Sequence, residues 1–215
     1  MPRRAPDGGV PAPAVSAARL DGRWERVEAT TETLFGVEGA DVRGHTVVFE
    51  DTELRRAVRA VTEDAVDQSW RFLFATRLGF RPPLAPGIGP AMVLPTVRSE
   101  AVGRFAEDLQ ARGVTDVGRG RRERLRTEDR TRVTLRQLTG TVSLGEAVVP
   151  VEGWVGAWTA GDIHVAGGAY PRTGLRDVLE HESADLEAVE DSDGLLDGRP
   201  EDYRSALFEF VRSVG

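Results

Sequence analysis

Three histidines carry all the imidazole in this 215-residue chain, and cysteine is absent. Disulfides, thiolate metal sites and cysteine nucleophiles are therefore excluded. His181-Glu182 opens like the helical zinc pattern His-Glu-x-x-His, but the fifth position is Asp185. That chemistry needs two imidazoles one helical turn apart, so the zinc reading fails. His45 and His164 both fall in predicted strands, with Asp162 near the second. If the sheet brought them together, two imidazoles and a carboxylate would hold a divalent ion. A hydrolase or other metal-dependent enzyme could then be built on His45, His164 and nearby carboxylates. Nothing in the sequence forces that pairing, and no metal or cofactor is expected.

Arginine offers a second chemistry. Arg119 to Arg136 contains eight Arg against Glu123, Glu128 and Asp129. Strand alternation puts Arg122, Arg124 and Arg126 on one face, with Arg121, Glu123 and Leu125 on the other. Guanidinium forks bind phosphate or carboxylate bidentately, so these three are the candidate anion- or partner-binding residues. The competing reading is a solvated outer strand whose arginines pair with the protein's own acids.

Other motifs fall short. Gly87-Ile88-Gly89-Pro90-Ala91 lacks the third glycine of a dinucleotide loop, and Pro90 and Pro95 argue against a helix beginning there. A phosphate-binding P-loop requires lysine, of which the chain has none, and no Gly-x-Ser-x-Gly elbow is present. Asp191-Ser192-Asp193-Gly194 hints at a calcium loop, but Val189 would occupy its first ligand position. Trp154 and Trp158, four residues apart on one strand face, read as core rather than as a stacking platform.

Composition narrows the setting. All 28 basic residues are Arg, and 35 acids give a net charge of −7. The absence of lysine together with the acidic excess is the composition expected of a halophile with a GC-rich genome. A net-negative chain is a poor general nucleic-acid binder, so an unknown protein or small molecule is the expected partner and no nucleic acid. Eleven acids from Asp177 to Asp202 face Arg199 alone, which reads as a hydrated helical surface. No apolar run approaches the roughly 18 residues of a membrane span. Met1-Pro2-Arg3-Arg4 is not followed by an apolar stretch, and the expectation is a cytoplasmic protein.

The elements follow from periodicity and breakers. Residues 1–20, rich in Pro, Ala and Gly, read as a disordered leader. Trp24 to Phe35 is strand-like, with Val27, Ala29, Thr31, Thr33 and Phe35 on one face; Val42 to Glu50 is a second strand. Asp51 stands as the N-cap of a helix carrying Leu54, Val58 and Val61. Trp70 to Leu78 reads as a central strand. Five prolines and two glycines make residues 80–95 a long loop, and a second helix is placed from about Ser99 to Arg112, closed by Gly113. Strands follow over 121–126, 130–144, 147–158 and 163–169, with Pro150 marking an edge or a strand start. Two helices end the chain, from Leu175 to about Glu190 and from Glu201 to Val214.

The order β-β-α-β-α-β-β-β-β-α-α indicates one α+β domain over residues 21–215. The expected core is a mostly antiparallel sheet of about six to seven strands flanked by helices, with the C-terminal helices packed on one face. In this order the chain resembles the Mog1/PsbP-like group, which implies an antiparallel sheet flanked by helices. Val151-Glu152-Gly153-Trp154 through Gly167-Gly168-Ala169-Tyr170-Pro171 is similar to a family of uncharacterised proteins of extreme halophiles. Neither resemblance carries a catalytic residue. The reading is a non-catalytic binding or interaction module, with the sheet and loop 80–95 as its site. The alternatives are the metal-dependent enzyme and a small-ligand carrier, which needs a closed apolar cavity between sheet and C-terminal helix.

Overall fold

A computed structural model describes residues 9–20, 22–37, 39–181 and 194–215. Seven strands form one sheet: β1 (Trp24–Val37), β2 (Ala40–Asp51), β3 (Phe72–Arg81), β4 (Thr115–Arg126), β5 (Arg132–Leu144), β6 (Ala147–Ala160) and β7 (Asp162–Pro171). Their spatial order is β1-β2-β3-β7-β6-β5-β4. Every pair is antiparallel. Two chain-local meanders, β1–β3 and β4–β7, are thus fused where β3 meets β7. The helices are α1 (Thr52–Val61), α2 (Pro90–Ala111), α3 (Leu175–His181) and α4 (Pro200–Ser213). This is the α+β class and the element order that the sequence implies.

Both faces of the sheet are packed. One face sets Phe72, Leu78, Val155 and Ile163 against α1 and α2, where Leu175 and Leu179 of α3 join the same apolar cluster. The other sets Leu73, Ala75, Trp154 and Trp158 against Tyr203, Leu207, Phe210 and Val211 of α4. Covering both faces removes the need for polar alternation. Hence Val151 to Trp158 and Ile163 to Pro171 are buried without interruption. Gly153 makes room for α2: a Cβ there would stand 2.8 Å from the Phe105 ring.

Local signals behave as expected at α1 and at the end of α2. The Asp51 carboxylate accepts from the Leu54 amide at 3.0 Å, and Leu54, Val58 and Val61 are buried. Gly113 takes φ +86°, a region open to glycine at little cost, and ends α2.

Four expectations need correction. Helix α2 begins at Pro90, not near Ser99, and absorbs the second half of the presumed loop. Pro90 sits in the first turn, where no amide partner is needed, while Pro95 lies inside the helix. An interior proline costs about 3 kcal/mol. Burying Val93, Leu94 and Val97 contributes about 1.5–3 kcal/mol each and outweighs it. Second, the chain from Gly9 to Leu20 is docked rather than loose. Ala14 and Gly215 exchange backbone hydrogen bonds of 3.0 and 3.2 Å, and Val15 and Leu20 pack on the α4-side core. Two anchors five residues apart leave no periodicity to read. Third, β6 is interior and Pro150 is its fourth residue, paired with Thr141 of β5; β7 pairing begins one residue later, at Val151, so the missing amide falls where β6 has only one neighbouring strand. Fourth, β1 is an edge strand, and its expected apolar face is open, with Val27 49% exposed.

The acidic block lies partly outside the described residues, which omit 182–193. On its flanks, Arg176 pairs with Glu180 and Asp197, and Arg199 with Asp202. Among the described residues, no helix is long and apolar enough to cross a membrane.

Candidate functional site

The arginine strand is β4, the sheet edge opposite β1. Its register pairs Arg122 with Arg136, Arg124 with Thr134 and Arg126 with Arg132. Arg136 in turn pairs with Val155, whose side chain belongs to the α2-side core. Arg122, Arg124 and Arg126 therefore share that face, as alternation predicts. Arg122 and Arg124 line an open groove of about 790 Å³ between β4–β6 and α2. Arg126 lies beyond it, donating to the Arg130 carbonyl at 3.3 Å. The groove gains Arg98 from α2, Arg119 from β4 and Arg136 from β5, with Val155, Gly156 and Ala157 as its floor.

Two of these side chains are held by backbone. Arg98 Nε donates to the Ala157 carbonyl at 3.1 Å, and Arg136 Nη1 to the Gly120 carbonyl at 2.9 Å. Glu123, the acid at the groove's border, points to the other side and accepts from Arg204 Nη2 at 3.0 Å. Among the described residues, none of Arg98, Arg119, Arg122, Arg124 and Arg136 forms an ion pair. Like charges directly opposite across two strands are destabilising, and Arg122 faces Arg136 in that way. Elsewhere Arg55, Arg59, Arg77 and Arg176 each have a carboxylate within 4 Å. The groove is thus a place where the chain gathers cations without supplying counter-ions.

Arg119, Arg98 and Arg136 escaped sequence reasoning. Arg136 was findable, because a turn centred on Asp129 sets 122 opposite 136. Arg98 was not, since its position depends on where α2 crosses the sheet.

Residues 12–215 match the family described as a domain of unknown function, DUF6517. The chain belongs to that family. No curated protein and no solved structure matches it. Every groove residue lies within the matched span of the DUF6517 domain.

His45 and His164 of this DUF6517 domain do not come together. Arg77 pairs with His45 on one side and with His164 on the other, so a whole strand separates the imidazoles. The Arg77 guanidinium is occupied by Asp162, to which its Nε donates at 2.8 Å. His45 Nδ1 lies 3.2 Å from both the Thr31 hydroxyl and the Val10 carbonyl. His164 is buried and stacks on Trp158, with ring centres 5.9 Å apart. The sidechain of His181 and all of Glu182, Asp185 and Asp191 to Asp193 lie outside the described residues.

Burial pushes His164 below its ordinary value of 6.5, and the charge of Arg77 adds to this, with Asp162 and Asp129 opposing. The unfolded chain therefore takes up this proton at higher pH than the folded one. The contribution is complete above about pH 6.5 and is lost as pH falls from there toward the lowered folded value. Urea unfolding of His164→Gln at pH 7.5 and 5.5 should show a smaller acid loss than the parent; an equal loss would place the titration elsewhere.

A buried polar network on the α4 face also went unread. Glu152 Oε1 accepts from Tyr170 Oη at 2.5 Å and from Trp154 Nε1 at 2.7 Å. Its Oε2 accepts from Gln137 Nε2 at 2.8 Å and faces Arg172 at 3.5 Å. Burial, then the Glu152 carboxylate, raises the Tyr170 hydroxyl well above its usual range. With its partners satisfied, this network holds strands β5–β7 together. The sequence signal was a lone acid inside the apolar run Val149 to Val155.

Proposed function

We propose that this DUF6517 domain is a non-catalytic binding module whose arginine groove takes a ligand bearing at least two carboxylate or phosphate groups. The observation that supports it is the convergence of Arg98, Arg119, Arg122, Arg124 and Arg136 on one groove without ion pairs among the described residues. Residues two apart on a strand are about 7 Å apart, which sets the spacing of anionic groups that Arg122 and Arg124 would engage together. A compact polyanion fits this better than a nucleic acid, because the whole chain carries −7 and repels a long anionic polymer. At about 1 M salt the Debye length is about 3 Å, so that repulsion is screened while contact hydrogen bonds persist. Such a setting matches the halophilic cytoplasm that the lysine-free composition suggests.

Calorimetry with tripolyphosphate and with citrate at 0.1 and 1 M KCl tests the reading. Saturable binding is expected. The double reversal Arg122→Glu/Arg124→Glu should weaken it about 100-fold or more, since charged hydrogen bonds contribute about 1.5–3 kcal/mol each. Arg26→Glu on the far edge strand should leave it unchanged. Equal losses in the two variants would mean diffuse charge attraction, and the groove would not be a site.

A further inference from the structure

A second cavity, of about 150 Å³, lies on the other flank of α2, over the β1–β3 half of the sheet. Helix α2 crosses β6, β7 and β4, leaving this half roofed only along one side. Phe72, Phe74 and Phe105 wall the cavity; the Phe105 ring centre stands 6.2 Å from Phe72 and 5.4 Å from Phe74. Thr46 and Thr76 contribute hydroxyls that satisfy each other at 2.9 Å. The inner wall is thus largely aromatic, and its two threonine hydroxyls are paired with each other. A space of roughly this volume accepts a single benzene-sized body.

The rim is charged and unbalanced. Glu28, Glu32 and Asp108 stand with Arg104 and Arg112 around the opening. Arg104 is committed, donating to the Leu34 carbonyl at 3.0 Å and pairing with Glu32 at 3.7 Å. Arg112 is laid 4.2 Å over the Phe72 ring. Among the described residues, Glu28 and Asp108 form no ion pair. Desolvation raises the Asp108 carboxyl above its ordinary range; the charges of Arg112 and then Arg104 oppose this, and Glu28 and Glu107 add to it less strongly. An added cation at the opening would find the Glu28 and Asp108 carboxylates without ion-pair partners, beside a Phe72 ring that already accepts a cation from Arg112.

We infer that the cavity binds a small organic cation of the arylalkylamine class, its ring among Phe72, Phe74 and Phe105 and its ammonium between Glu28 and Asp108. This site is independent of the arginine groove and takes the opposite charge. It differs from the carrier alternative of the sequence in two ways: the cavity is open at a charged rim, and it lies beneath α2 instead of the C-terminal helix.

The test uses the full chain and three probes with the same ring: phenethylammonium, phenethyl alcohol and 3-phenylpropionate, titrated by calorimetry and protein NMR. Phenethylammonium should saturate, and the neutral alcohol should bind about 10-fold more weakly, the factor for one modest charge contact. Val165→Phe, which fills the cavity from β7, should abolish binding of both while the far-UV spectrum stays unchanged. Glu28→Gln/Asp108→Asn, on the rim, should bring ammonium and alcohol to equal affinity, and decides the matter if Val165→Phe does not fold. No saturation by the ammonium, or equal or tighter binding of phenylpropionate that survives Arg122→Glu/Arg124→Glu, overturns the proposal. So does unchanged binding by a folded Val165→Phe. Phenylpropionate binding that disappears in the arginine double variant belongs to the groove and leaves the cavity assignment standing on the other two probes.

Discussion

Phe210→Ala is expected to lower stability by about 3–5 kcal/mol, the range for fully buried aromatics. Phe210 has no exposed surface, and its ring meets Phe49 edge-on with centres 6.1 Å apart. It lies on α4, whose Tyr203, Leu207 and Val211 bury against the same sheet face. Helix α4 packs on β3 and β7, one strand from each meander, so a cavity beneath it is not closed by moving one hairpin. For a chain of about 200 residues this corresponds to roughly 6–20 °C in Tm. Urea unfolding followed by tryptophan fluorescence measures it directly, since Trp154 lies on the same face. A loss below about 1 kcal/mol would mean that α4 is not held on the sheet.

The second large effect concerns a buried ion pair. Arg71 Nη1 donates to Asp51 Oδ2 at 2.6 Å, and Asp51 is wholly buried while also capping α1. The Arg71 guanidinium is sandwiched, 4.0 Å over Tyr203 and 4.9 Å over Trp24. Burial lowers its proton affinity, with Asp51 opposing. Arg71→Met removes the cation and leaves the carboxylate with its helix amide and Arg23 at 3.5 Å. Removing one partner of a buried pair costs about 3–5 kcal/mol, mostly through the stranded charge. Adding Asp51→Ser removes that charge and keeps a capping oxygen. The double variant should therefore be more stable than Arg71→Met alone. If the single change costs under about 1 kcal/mol, Arg23 and solvent neutralise Asp51, and the pair does not join α1, β3 and α4.

Legibility in the sequence followed the range of the interactions. The Asp51 cap, the Gly113 stop and the shared face of Arg122, Arg124 and Arg126 each depend on neighbours within a few residues, and all were readable. The start of α2 was not. Five prolines argue locally for a loop, and only the burial of Val93, Leu94 and Val97 under the sheet overrides them. The histidine pair failed for a similar reason. Both lie in strands as read, but strand order alone shows that β3 inserts Arg77 between them.

By itself the sequence determined the class of fold, the order of its eleven helices and strands among the described residues, and the charge of its edge strand. Periodicity, capping and turn chemistry act over one or two turns of chain, and a single chain displays them. The tertiary structure decided the fusion of the two meanders at β3–β7, the crossing of α2 and everything that crossing creates. On one flank α2 brings Arg98 to Arg119, Arg122, Arg124 and Arg136; on the other it roofs an aromatic cavity with an acidic rim. These placements come from packing between segments tens of residues apart, where each contact is weak and no local pattern encodes it.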